Sequence, residues 1–150
     1  TDLVGTYGYC CDISRTWLVG DGTPSDEQKR LYQVAYDHVM TNIGLIEPGM
    51  RFSDMTRIAH RLPEDYRALR YGVLAHGVGL CDEYPSVRYP EDVEHHGYGG
   101  CFEVGMTLCV EAYVGAVDGR DGVKLEEQVV VTDQGAVPLS TYRYEDAFLS

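Results

Sequence analysis

Apolar residues recur at helical spacing in one long segment of the first third of the chain. Ser25 and Gln28 have the spacing of a capping box, which starts a helix by satisfying free backbone N–H groups. Gly44 follows the last periodic residue and can end the helix. The pattern therefore predicts a helix from just after Ser25 to Gly44, and its apolar face comprises Leu31, Val34, Ala35, His38, Val39 and Ile43.

The rest of the pattern predicts a second helix and several strands. A helix is predicted over 52–62, ended by Pro63, and strands rich in apolar and β-branched residues are predicted over 3–9, 13–19, 71–79, 106–114 and 123–132. Segment 84–100 contains two Pro, three Gly and two His and predicts an irregular loop. Two helices followed by strands predict an α+β fold, with helices on one face of a curved antiparallel sheet.

Composition narrows the class of protein. The 150 residues are 44% hydrophobic, which is typical of one globular domain. The formal charge of −12 argues against a nucleic-acid partner, and no apolar run approaches the roughly 18 residues of a membrane span. Five cysteines without a C-x-x-C pair favour reduced thiols in the cytoplasm. The chain opens without Met on a strand-like segment, so we expect it to be the C-terminal part of a longer polypeptide.

Five potential metal ligands lie on the predicted strands or at their ends: Asp2, Asp12, His76, Glu111 and Glu126. Burying a carboxylate in an apolar strand is costly unless it is paired or bound to a cation. Four carboxylates and one imidazole suit two divalent ions such as iron, manganese, cobalt or zinc. The alternative is that each residue is a strand-end charge facing solvent.

Four blocks carry a family resemblance. They read GYCCDISRT at 8–16, HGVG followed by EYP at 76–85, GMTLCVE at 105–111, and KLEEQVVVT at 124–132. In this order they resemble the motifs of the creatinase, prolidase and methionine aminopeptidase superfamily. The resemblance implies a pita-bread fold, a homodimer, and two metal ions on the five residues named above. Residues 1–150 would then be the C-terminal metal-binding part of the catalytic domain, without its upstream half and N-terminal domain.

Two departures from the peptidase pattern matter. The two Asp ligands lie ten positions apart here and eleven in the peptidases, which leaves room for a further ligand before Thr1. The catalytic His that follows HGVG in the peptidases is absent, and Asp82 stands immediately before Glu83. A carboxylate there would repel the oxyanion of peptide hydrolysis but can act as a general base.

Tyr71 and Asp82, on either side of His76, are similar to the pattern of the metal-dependent dimethylsulfoniopropionate lyases. This resemblance implies that Asp82 abstracts the α-proton of a small-molecule substrate and that Tyr71 holds its sulfonium group. Dimethyl sulfide and acrylate would be the products, and iron is the first choice of metal. The alternatives are a prolidase-like Xaa-Pro metallopeptidase and a non-catalytic pita-bread binding protein. For the two residues themselves, Tyr71 could be a core residue and Asp82 could cap the turn before Glu83.

Overall fold

The computed structural model describes residues 2–150, in which helices pack on one face of an antiparallel sheet. The sheet has the order β4-β3-β5-β6-β7, and a separate two-stranded ribbon is formed by β1 and β2. The strands are β1 (Asp2–Val4), β2 (Cys10–Asp12), β3 (Ala75–Gly77), β4 (Ser86–Val87), β5 (Thr107–Val114), β6 (Val123–Thr132) and β7 (Gly135–Pro138). The helices are α1 (Asp26–Leu45), α2 (Phe52–Ile58), α3 (Glu64–Arg67) and α4 (Val93–His96). No helix within 2–150 is both long and apolar enough to cross a membrane.

Helix α1 forms as the sequence predicts. The Ser25 hydroxyl accepts the Gln28 N–H, and the Gln28 side chain accepts the Ser25 N–H, which completes the capping box. The helix ends one residue after Gly44. Its buried face, which packs against β5 and β6, comprises Leu31, Tyr32, Ala35, His38, Val39, Asn42 and Ile43. This packing forms the core of the domain and leaves the opposite face of the sheet for other chemistry.

The second predicted helix is shorter than expected and is followed by α3. Helix α2 stops at Ile58, and Ala59 is extended. The His60 N–H donates to Asn42 Oδ1 at 2.9 Å instead of to a helical carbonyl. A tertiary hydrogen bond from α1 therefore takes the chain out of the helix, which the local pattern could not reveal.

Several strand predictions need correction. The predicted strand over 3–9 stops at Val4, because a 3-10 turn at Thr6–Gly8, with Tyr7 at φ 60°, reverses the chain. Segment 13–19 forms no strand; its one β-bridge joins Ser14 to Glu126, and Trp17 within it is 54% exposed. Of the predicted strand over 71–79, only Ala75–Gly77 forms a strand. The predicted loop 84–100 contains β4 and α4, and β7 was not predicted.

The register of the central strands decides which side chains share a face. Glu111 pairs with Glu126 across β5 and β6, and His76 pairs with Cys109 across β3 and β5. Directly opposed residues point to the same side of a sheet, as do residues two apart on one strand. The alternate residues of β5 face the helices: Leu108, Val110, Ala112 and Val114. One face of the sheet is therefore mainly apolar and packs on α1, whereas the other carries acids, a histidine and a thiol.

Candidate metal centre

Three carboxylates converge on the His76 imidazole. His76 Nε2 lies 3.3 Å from Glu111 Oε1, 3.3 Å from Glu126 Oε1 and 3.7 Å from Asp12 Oδ2. All four residues are buried. The structure thus brings together four of the five predicted ligands on the polar face of the sheet and the end of β2.

Asp2, the fifth predicted ligand, lies opposite Asp12 in the β1–β2 ribbon. A carboxylate oxygen from each of Asp2, Asp12 and Asp82 can be chosen so that the three lie within 4.8 Å of one another. Asp2 is exposed, whereas Asp12 is buried. Asp12 therefore belongs to two adjoining clusters, one around His76 and one at the surface.

The pKa values of these groups differ strongly from their ordinary values. Burial, together with hydrogen bonding to Asp2 and the charge of Glu126, raises the pKa of Asp12 to about 8. Burial also raises the pKa of Glu111. Burial opposes protonation of His76, but the neighbouring carboxylates of Glu111 and Glu126 outweigh it and raise its pKa to about 11. Crowded, buried carboxylates of this kind are stabilised by positive charge.

A divalent ion fits this donor set. Carboxylate oxygens and an imidazole are the usual ligands of iron, manganese, cobalt and zinc. Within residues 2–150, Glu111 Oε1 is a fully buried oxygen that accepts no hydrogen bond. An orphaned buried carboxylate oxygen facing a histidine nitrogen is a donor left available for a cation.

Lys124 is a charged residue of the site that the sequence analysis did not single out. Its ammonium contacts the Glu111 carboxylate, lies 3.7 Å from Glu126 Oε2, and sits 3.9 Å from the centroid of the Tyr71 ring. Burial opposes its charge, but Glu111 and Glu126 raise its pKa. The available signal was its position two residues before Glu126, which puts both side chains on the same face of β6.

Polar neighbours hold the candidate ligands in place. Ser14 Oγ donates to Glu126 Oε2 at 2.7 Å, and Gln128 Oε1 accepts the Asp12 N–H at 3.3 Å. Arg15 donates to the Glu126 backbone carbonyl at 2.6 Å and forms a buried ion pair with Glu127 at 2.5 Å. Arg15 therefore packs and pairs with acids around the site.

Asp82 and Tyr71 lie at the edge of the cluster. Asp82 Oδ1 is 3.7 Å from His76 Nδ1 and also accepts the Glu83 N–H at 3.1 Å, so this carboxylate does cap the turn while facing the site. Tyr71 is half-buried, not a core residue, and its hydroxyl donates to Glu83 Oε1 at 3.1 Å. His95 and His96 are exposed on α4.

A cavity of about 490 Å³ opens beside the cluster. It is lined by Ile13, Ser14, Arg15, Trp17, Lys124, Ser140 and Tyr142. Ser14 and Lys124 bond Glu126 and Glu111, so the cavity adjoins the acidic centre directly. Its volume is sufficient for a small organic molecule.

The fold and the cluster agree with one protein family. The model of metallopeptidase family M24 matches residues 1–133, and the chain belongs to this family. The chain is 46% identical to dimethylsulfoniopropionate lyase DddP of Roseovarius nubinhibens and 40% identical to that of Roseobacter denitrificans, in each case over 99% of the chain. It spans about a third of the length of these relatives, 33% in both cases.

Solved structures support the same architecture. The prolidase from Pyrococcus horikoshii superposes with a TM-score of 0.74 at 26% identity, over 91% of this chain and 38% of the prolidase. The expected α+β pita-bread fold is therefore confirmed.

Proposed function

We propose that residues 1–150 are the C-terminal metal-binding part of the catalytic domain of a metal-dependent lyase. Its reaction is cleavage of dimethylsulfoniopropionate to dimethyl sulfide and acrylate. The observation that carries the proposal is 46% and 40% identity to two dimethylsulfoniopropionate lyases along 99% of the chain, against 26% to the prolidase. Sequence outside residues 1–150 supplies the rest of the substrate pocket in this proposal.

The proposed metal centre holds two divalent transition-metal ions, with iron as first choice, on Asp2, Asp12, His76, Glu111 and Glu126. When bound, the ions withdraw charge from the substrate carboxylate and make its α-hydrogen more acidic. Support comes from the buried acids around His76 and from the orphaned Glu111 Oε1. Ser14 and Arg15 hold Glu126 through its carboxylate and its backbone carbonyl.

Asp82 is the proposed base. Its carboxylate takes the α-proton, the C–H electron pair forms the new C=C bond, and the C–S bond breaks with its electrons leaving on sulfur. Dimethyl sulfide and acrylate result, and Asp82 then returns the proton to solvent. Support comes from the position of Asp82, 3.7 Å from His76 and about one-third exposed, which leaves it accessible to substrate. A carboxylate there disfavours peptide hydrolysis, because it repels a developing oxyanion.

Tyr71 is the proposed sulfonium-binding residue. The Lys124 ammonium already lies 3.9 Å from the Tyr71 ring centroid, so this ring face accepts a cation. A sulfonium group would be attracted to the same face for the same electrostatic reason. Lys124 and the substrate therefore compete for the ring face. When the substrate occupies it, the ammonium of Lys124 can remain paired with the Glu111 carboxylate.

Replacement of Tyr71 separates its ring from its hydroxyl. We expect Tyr71→Leu to raise KM for dimethylsulfoniopropionate about 5- to 30-fold, the effect of losing a cation–π contact of about 1–2 kcal/mol. Tyr71→Phe keeps the ring and loses only the bond to Glu83, so its KM should stay close to that of the wild type. Steady-state kinetics with metal content measured in parallel tests this. Equal KM values for the Leu and Phe variants would contradict the role of the ring.

We propose a cytoplasmic homodimer that acts on a small molecule, with neither nucleic acid nor membrane as a partner. Support comes from the free state of all five cysteines and from the net charge of −12. Sedimentation velocity of the purified protein measures the oligomeric state, and a monomer would contradict the dimer.

Assays with dimethylsulfoniopropionate and with peptides test which reaction the protein catalyses. Gas chromatography should detect dimethyl sulfide when the metal-loaded protein is given dimethylsulfoniopropionate. Ala-Pro, Met-Ala and Xaa-Pro-Yaa peptides should remain intact, because Asp82 opposes their oxyanion. Peptide turnover near about 1 per second, within the range of ordinary enzymes, would instead favour a prolidase-like metallopeptidase. Absence of turnover with every substrate would favour a binding protein.

A further inference from the structure

Two histidines and a tyrosine form a chain of hydrogen bonds on the helix side of the sheet. His38 lies on the buried face of α1, and its Nδ1 is 3.2 Å from Nδ1 of His60. Its Nε2 is 3.1 Å from the Tyr89 hydroxyl. His38 is fully buried, Tyr89 is buried, and His60 is partly exposed. This His38–His60–Tyr89 cluster therefore joins α1 to the chain after α2 and to the chain after β4.

The Tyr89 end of the cluster holds residues 84–92 at the edge of the sheet. Strand β4 lies in this segment and makes a pairing of only two residues with β3. The segment is also held by the Thr56 hydroxyl, which donates to the Arg88 carbonyl at 2.8 Å, and by packing of Tyr89 in the core. Because so short an edge strand has few backbone bonds of its own, contacts with the helices decide whether it stays in place.

Both ring nitrogens of His38 are in hydrogen bonds, which limits the number of protons that the cluster can hold. A neutral imidazole has one N–H and one accepting nitrogen, so with both rings neutral every contact is satisfied. One added proton is also accommodated, because one of the two facing Nδ1 atoms still accepts. A second added proton would place an N–H on each of them, and the 3.2 Å contact would become repulsive.

Burial of the His38 ring opposes its protonation further. Burial, together with the neighbouring His60, lowers the pKa of His38 from 6.5 to about 3. A group whose pKa is lower in the folded protein stabilises the fold above its ordinary pKa, and this contribution is lost as the pH falls below that value. The contribution of His38 is therefore complete above about pH 6.5 and declines as the solution becomes more acidic.

The charged groups around the cluster are paired with one another. The Arg70 guanidinium lies 4.8 Å from the centroid of the Tyr89 ring and forms an ion pair with Asp92 at 2.7 Å. Arg61 lies 3.7 Å from Glu91. The residues that β5 presents to the helices are apolar: Leu108, Val110, Ala112 and Val114. Histidine is the side chain whose charge ordinarily changes between about pH 5 and 8, so the two histidines are the groups through which mild acid can act here.

We infer that the His38–His60–Tyr89 cluster is a pH-sensitive latch that holds residues 84–92 on α1 at neutral pH and releases them on acidification. His60 is partly exposed and takes the first proton from solvent, whereas His38 is protonated only when the contact between the two rings opens. Release frees β4 from β3. It also loosens the chain that follows the loop carrying Asp82, because this loop leads directly into β4.

Hydrogen–deuterium exchange with mass spectrometry measures the release directly. Wild-type protein, His38→Gln and His95→Gln are compared from pH 7 to pH 5, with rates corrected for the intrinsic pH dependence of amide exchange. Glutamine can bond both Tyr89 and His60 but does not titrate, and His95, exposed on α4, provides the matched control. We expect exchange of residues 84–92 to rise about 10-fold per pH unit below about pH 6.5 in the wild type and His95→Gln. It should not change with pH in His38→Gln.

NMR spectra of the imidazole nitrogens give a second readout that does not require His38→Gln to fold. In ¹⁵N-histidine-labelled wild-type protein, the ring that shifts most in His60→Gln is assigned to His38. This ring should stay neutral as the pH is lowered until exchange of residues 84–92 rises. Protonation of His38 near pH 6 without such a rise would overturn the inference. Exchange in the wild type that does not depend on pH, or an equal dependence in His38→Gln, would overturn it as well.

Discussion

Glu126→Gln should empty the metal centre, whereas Glu127→Gln should leave it filled. The two glutamates are adjacent on β6, and adjacent strand residues point to opposite faces. The Glu126 carboxylate lies 3.3 Å from His76 and accepts a bond from Ser14. Glu127 points the other way and pairs with Arg15, with both side chains less than 5% exposed. The same chemical change one residue apart therefore removes different interactions.

We expect metal affinity to fall more than about 100-fold in Glu126→Gln, because even loss of an outer partner of a metal ligand costs about 10–100-fold. Glu127→Gln should retain metal but lose about 3–5 kcal/mol of unfolding free energy, since it leaves the Arg15 charge buried and unpaired. Elemental analysis and urea denaturation measure the two effects. Full metal content in Glu126→Gln, or metal loss confined to Glu127→Gln, would contradict the proposed ligand set.

Asp82→Asn should abolish most dimethyl sulfide release while metal content stays unchanged. The amide keeps the volume of the side chain and can still accept the Glu83 N–H, so the turn should be preserved. It cannot take up the α-proton, and loss of a general base typically lowers the rate about 10²–10⁴-fold. Asp118→Asn, at an exposed position, provides a control for the same chemical change.

Rates are measured by gas chromatography at saturating substrate, with metal content determined on the same samples. A rate near that of the wild type in metal-replete Asp82→Asn would exclude Asp82 as the base. Loss of metal together with activity would assign Asp82 to the metal centre. This outcome has to be tested because Asp82 lies close to Asp2 and Asp12.

The parts of the fold that could be predicted are those governed by local pattern. The capping box and apolar spacing located α1 to within one residue at its C-terminus, and the apolar run of β6 was predicted with the observed bounds. The prediction of a strand over 13–19 was wrong, because this segment makes only one isolated β-bridge to the sheet. Pairing partners lie far away in sequence, so the pattern of a single segment cannot show whether they exist.

Some residues of the candidate site could likewise be predicted from the sequence, and others could not. The convergence of Asp12, His76, Glu111 and Glu126 could be predicted because the four sequence blocks resemble family motifs that carry metal ligands at these positions. Lys124 and Cys109 were missed because a lysine in a strand commonly reaches solvent and a cysteine in a strand commonly fills the core. Only the register across three strands, together with the distances in the folded chain, places them against the acids.

The pairing of Glu111 with Glu126 limits where this chain can change in length. A one-residue insertion in β5 or β6 would turn every following side chain to the other face, carrying a carboxylate into the apolar layer against α1. Segment 115–122, which joins the two strands, lies mostly at the surface and can absorb added residues at little cost. Variants that differ in length should therefore be found in that connection, while both strands keep their spacing.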